Sequence, residues 1–179
     1  AMVRAEACAD QVYQPMLHLV LQGTKTLSIG ADVSRYTEGT YFLVPVDVPA
    51  TGQVQADTVD QPYLAVSLTL DPDVIATLLL DEGKAPKASQ NTCFEGVRAP
   101  VETIDAWLRM MRLMDRPHEV AILAPMIERE ILLRALQGPL GDILRDVARP
   151  DGRMVQIRRV TQWIREHYAE PFRVELLAR

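Results

Sequence analysis

A chain of 179 residues is long enough for one medium domain with an appendage, and 48% hydrophobic residues give it a core without metal or disulfide staples. Its net charge of −5 excludes a surface that grips nucleic acid by itself, because phosphate neutralisation needs clustered Lys and Arg. Two cysteines, Cys8 and Cys93, exclude a disulfide framework, and no apolar run approaches the ~18 residues of a membrane span. The N-terminus shows no basic stretch followed by an apolar one, so no secretory signal is expected and the reading is cytoplasmic.

Residues 13–70 carry short apolar runs parted by turn residues, the pattern of an all-β region. Met16–Leu21 comes first, apolar on both faces and closed by Gln22-Gly23. Thr26–Ile29 alternates Leu27 and Ile29 on one side and ends at Gly30-Ala31-Asp32. Val33–Tyr36 stops at Glu38-Gly39, and Tyr41–Val44 is limited by Pro45. Gln53–Ala56 and Tyr63–Leu70 complete the set, the latter with Leu64, Val66, Leu68 and Leu70 on one face. Strands at this spacing predict a small barrel or sandwich, since strands that cannot bury both faces singly do so by closing on each other.

From Asp71 the period lengthens. Asp71-Pro72 opens a helix through Leu80, with Asp71 as its cap. Residues 81–99 read as a surface connection with a short strand near Thr92–Phe94. Pro100 opens a helix to about Met114, striped by Val101, Ile104, Leu108 and Met111. Asp115-Arg116-Pro117 breaks it, and a second helix runs from about Glu119 to Gln137. Val120, Leu123, Ile127, Ile131 and Ala135 form its stripe, and Gly138-Pro139 stops it. So short a break predicts an antiparallel pair. A further helix is expected over Met154–His167, and Val174–Arg179 begins another.

Two segments in the predicted order carry a family resemblance. Leu19–Lys25 with Gly30, Tyr36, Gly39, Tyr41–Val44, Val46–Gly52 and Pro62-Tyr63-Leu64 resembles the N-terminal domain of an AraC/XylS-type regulator subfamily. Ile157–Tyr168 with Pro171 and Leu177-Ala178 resembles the opening of that family's DNA-binding domain, although Leu176 stands where the family carries an acidic residue. The resemblance implies an α+β protein: a cupin-like β-barrel or sandwich, a dimerising helical pair, and the partial helical start of a helix-turn-helix domain. It divides the chain into a sensing and dimerising domain over 1–148, a linker over 149–153, and a DNA-binding stub over 154–179. The partners implied are a second copy of the chain, a small-molecule effector, and DNA through the C-terminal domain. No cofactor and no membrane enter this reading.

A cupin-like metal-dependent enzyme is the alternative. It needs two or three His and a carboxylate on neighbouring strands, whereas of His18, His118 and His167 only His18 is on a predicted strand. No activated nucleophile or glycine-rich phosphate loop is present either. The expectation is therefore no catalytic residue and no metal site. For an effector inside the barrel the candidate residues are His18, Val20, Gln22, Tyr41, Leu43 and Tyr63, an apolar wall with a few polar handles. The candidate dimerisation residues are Ile104, Leu108, Met111, Leu123, Ile127 and Ile131. Cys93 is the candidate redox or electrophile sensor, with Lys84 and Lys87 the cations nearest in sequence to lower its pKa.

Overall fold

The computed structural model describes residues 9–58, 60–82 and 94–149, with five helical residues beyond them: Gln156, Ile157, Arg159, Val160 and Trp163. Among the described residues the strands are, in chain order, β1 (Ala9–Tyr13), β2 (Met16–Gln22), β3 (Thr24–Ile29), β4 (Asp32–Thr37), β5 (Thr40–Val44), β6 (Val48–Gln55), β7 (Leu64–Thr69) and β8 (Val97–Arg98). They form two antiparallel four-stranded sheets, ordered β1-β6-β3-β4 and β7-β2-β5-β8. The helices follow: α1 (Pro72–Glu82), α2 (Val101–Arg112), α3 (Pro117–Gln137) and α4 (Gly141–Ala148), with a 3-10 turn Leu113–Asp115 between α2 and α3.

The run that reads as apolar on both faces has both faces buried. Along β2 and β5, Val20, Phe42 and Val44 point between the two sheets, where they meet Tyr13, Leu27, Tyr36 and Ala50. Leu17, Leu19, Tyr41 and Leu43 point the other way and join Ile75, Trp107, Ile131, Leu132 and Leu136 of the helices. The second sheet is thus the middle layer of three, and period-2 alternation puts each set of side chains on its own side. Between β2 and β3 the chain reverses at Gly23, where φ is +79° and an added Cβ would lie 2.6 Å from the Gln55 carbonyl oxygen. Only glycine fits there.

Several elements differ from the sequence reading. Polar β1 and the two-residue β8 lack the alternation that marks a strand, and both gain their order by pairing, with β6 and β5 respectively. The strand expected near Thr92–Phe94 is not found at Phe94, which sits in a turn at φ 70°; Thr92 and Cys93 lie outside the described residues. β6 begins at Val48 rather than Gln53, despite Pro49. Pro49 pairs with Val12 of β1, whereas β3 pairs only from Thr51 onward, so the missing N–H costs no second ladder. Helix α4 is additional: Gly138-Pro139 ends α3, and Ile143, Leu144 and Val147 then close the helical layer beside Ile75 and Leu78 of α1.

The helical hairpin is antiparallel, since Arg109 on α2 reaches Glu130 on α3 at 2.6 Å while the turn lies at 113–116. The buried face of α2 is offset from the expected stripe, whereas Ile127, Ile131 and Ala135 of the expected α3 stripe are buried. On α2 the inward residues are Thr103, Ala106 and Trp107, a face set by the indole, and Val101 is left 78% exposed. On α3 the inward set is Ile127, Ile131, Leu132, Ala135 and Leu136; Ile122 and Met126 stay 70% and 63% exposed. Expectations for residues 154–179 lie largely outside the described residues.

Candidate functional site

A cavity of about 670 Å³ runs from between the two sheets to the α2–α3 hairpin. Its polar end is built by Gln11 and Tyr13 of β1, His18 of β2, Lys25 of β3, Ser67 of β7, and Tyr63 just ahead of β7. Its apolar wall comes from Val54, Ala65 and Val66 of the sheets and from Trp107, Met110, Met111, Leu113, Met114, Val120 and Ala124 of the hairpin. Volumes of this size, mostly apolar with a few polar groups, are those of small-molecule sites.

Burial at the polar end sets the charge state of His18. Its Nδ1 lies 2.7 Å from the Ser67 hydroxyl and its Nε2 2.9 Å from the Tyr63 hydroxyl. A neutral imidazole donates through one nitrogen and accepts through the other, and each hydroxyl takes the complementary role. Burial, seconded by the charge of Lys25, pushes the His18 pKa down to about 3, so the ring is neutral at physiological pH. Burial likewise raises the Tyr63 phenol, with a smaller push from Tyr13, and the hydroxyl stays protonated.

Lys25 is the unusual member. Only 7% of it is exposed, its Nζ sits 4.7 Å from the centre of the Tyr13 ring, and no carboxylate pairs with it among the described residues. Desolvation lowers its pKa from 10.5 to about 8, which still leaves most of it charged at pH 7. Gly52 makes room for Tyr13, because an added Cβ there would overlap the Tyr13 hydroxyl. Trp107, on the opposite wall, is buried with its Nε1 lacking a hydrogen-bond partner among the described residues.

Of the six effector candidates, the cavity brings together His18 and Tyr63. Val20 is buried between the sheets, while Tyr41 and Leu43 face the helical layer on the other side of β5. Gln22 ends β2 and donates from Nε2 to the Pro62 carbonyl at 2.7 Å. Of the dimerisation candidates, Ile127 and Ile131 are buried within the protomer and Ile104 and Leu123 pack half-buried against its core. Leu108 is 37% exposed, and Met111 lines the cavity. Cys93 lies outside the described residues. Lys25 was missed from sequence, although it shares a face with core residue Leu27 and half-buried Ile29 by simple alternation. Among the described residues no group of three His, Cys, Asp or Glu is arranged to hold a metal ion. Nor is any described helix long and apolar enough to cross a membrane.

A two-sheet β sandwich backed by a helical hairpin, with its cavity walled by both, defines an α+β module built around a ligand-sized space. The family model for the AraC-type transcriptional regulator N-terminus matches residues 2–143, and the chain belongs to this family, which is one of regulators and not of enzymes. No curated protein matches the chain. Among solved structures, an apo ToxT variant from Vibrio cholerae aligns with a TM-score of 0.62 at 6% identity, over 97% of this chain and 66% of that one. The AraC-like transcriptional activator CuxR aligns with a TM-score of 0.42 at 14% identity, over 91% of this chain and 54% of that one. The likeness to ToxT is one of fold, and the chain spans less than two thirds of either structure's length.

Proposed function

We propose that the chain is the effector-sensing and dimerising region of an AraC-type regulator that acts on DNA in the cytoplasm. In this reading residues 1–148 sense and pair, 149–153 link, and 154–179 begin a helix-turn-helix domain that binds the operator. The observation that carries it is the cavity walled jointly by the sheets and by α2 and α3. A ligand that fills it touches both layers, so its affinity depends on how the hairpin sits against the sheets. That is the differential contact an effector needs to shift a population. Pairing is supported by apolar side chains left exposed on the hairpin, namely Val101, Leu108, Met114, Ile122 and Met126.

The test is Ala124→Trp in the full-length regulator, which places an indole in the cavity from α3. Transcription in a reporter strain should lose its response to inducer while operator binding in a gel shift persists. A variant that responds as the wild type does would sink the sensing reading and leave a dimerisation module. Light scattering at high micromolar concentration checks pairing, and a strictly monomeric mass would end that half of the proposal.

A further inference from the structure

We propose that the cavity selects a monocarboxylate with an apolar body, its carboxylate seated on Lys25. This rests on the sensing reading above and narrows it to a ligand class. Three observations carry it. First, Lys25 is more than nine-tenths buried, lines the cavity, and has no acidic partner among the described residues. Among the described residues no Asp or Glu stands on the cavity wall, so these residues give the site one fixed positive charge and nothing of opposite sign. A buried charge is tolerated when paired, and an anion in the cavity would supply the partner that the described residues lack.

Second, the stoichiometry of charge points to a monoanion. Phosphate and dicarboxylate sites gather several cations, with Arg favoured for its planar fork of donors. Among the described residues the cavity has no arginine, and His18 is kept from protonating by burial and by Lys25 itself. A singly charged carboxylate matches the lone ammonium. Third, the space beyond is lined by Met110, Met111 and Met114 on the helical side. Unbranched thioethers adapt to an apolar body of variable shape.

Isothermal titration calorimetry on the intact chain tests this with octanoate and 4-phenylbutyrate against their uncharged amides. At least one carboxylate should bind, and at least tenfold tighter than its amide. Lys25→Met, shown folded by circular dichroism, should erase that preference. An amide binding the wild type as tightly as its acid overturns the carboxylate proposal but leaves an effector cavity in place. A preference that persists in Lys25→Met, or that survives equally in Lys25→Gln, overturns it too. Failure of all four probes to bind, together with an unaltered response of Ala124→Trp in the reporter, removes both readings.

Discussion

Replacing Lys25 with Met should make the ligand-free protein more stable. The fall in the Lys25 pKa from 10.5 to about 8 corresponds to a penalty of about 3 kcal/mol on keeping the charged form inside. The cation–π contact with Tyr13 offsets about 1 kcal/mol of this. A thioether of similar length keeps the packing, so the net gain at pH 7 is about 2 kcal/mol. For a chain of this size that raises the melting temperature by roughly 4–8 °C. The sign of the pH dependence follows from the depressed pKa. Between 10.5 and 8 the unfolded chain binds a proton that the folded one releases, so wild-type stability falls as pH drops through that window and is lowest below it. The advantage of Lys25→Met should therefore be full at pH 7 and shrink toward pH 10. Differential scanning calorimetry of both proteins across that range measures it. A variant that melts below the wild type at pH 7, or a gap that does not change with pH, would refute the argument that the ammonium is buried without a partner.

The same site gives an acid-side signature through His18, whose pKa is held near 3 when folded against an ordinary 6.5 when unfolded. Its contribution is complete above pH 6.5 and is lost as pH falls toward 3, so urea denaturation should show a slope nearing ~1.4 kcal/mol per pH unit by about pH 5.5, ahead of the carboxylates; His18→Asn should flatten it. Gly23→Ala combines a left-handed backbone with a 2.6 Å approach to the Gln55 carbonyl and should cost roughly 2–4 kcal/mol in denaturant midpoint experiments. Gly30→Ala, at φ +59° with open space around it, is the control and should cost roughly 1 kcal/mol. On α3, Met126→Glu should lower the mass in light scattering with little change in melting, whereas Ile131→Ala should cost roughly 2–5 kcal/mol because its side chain is wholly inside the protomer. Equal melting losses for both would show that the exposed and buried faces of α3 have been assigned wrongly.

Much of the fold was legible in the sequence because alternation and turn glycines fix strands locally. Met16–Leu21 is informative in retrospect: a strand apolar on both sides belongs to a middle layer, and the helices that follow supply the third. What escaped was order imposed from outside. β1 is a polar strand that exists by pairing with β6, and α4 becomes helical after a Gly-Pro stop by burying Ile143, Leu144 and Val147 against α1. The α2 face is set by Trp107 rather than by aliphatic spacing, because the largest apolar side chain claims the core face first. At the site, His18 and Tyr63 were found as polar handles among apolar residues. Lys25 was passed over because lysine is normally solvated, even though Leu27 and Ile29 on the same face placed it inward.

Lys25 then ties the energetics of the free protein to the proposed ligand. An ammonium held inside without a counter-ion lowers stability, and replacing it with a neutral chain of the same length would relieve that at no evident cost to packing. The penalty exists only while the cavity lacks an anion. A carboxylate at Nζ would raise the depressed pKa again, so the free energy lost in the empty state returns as binding free energy in the filled one. Because the apolar walls that would hold the rest of the ligand include α2 and α3, that returned free energy is available only when hairpin and sheets are both in place. A charge paired at one end and an apolar body clasped at the other make hairpin position and ligand affinity a single coupled quantity. Stabilisation by Lys25→Met and loss of carboxylate preference in the same variant are therefore two readings of one buried charge.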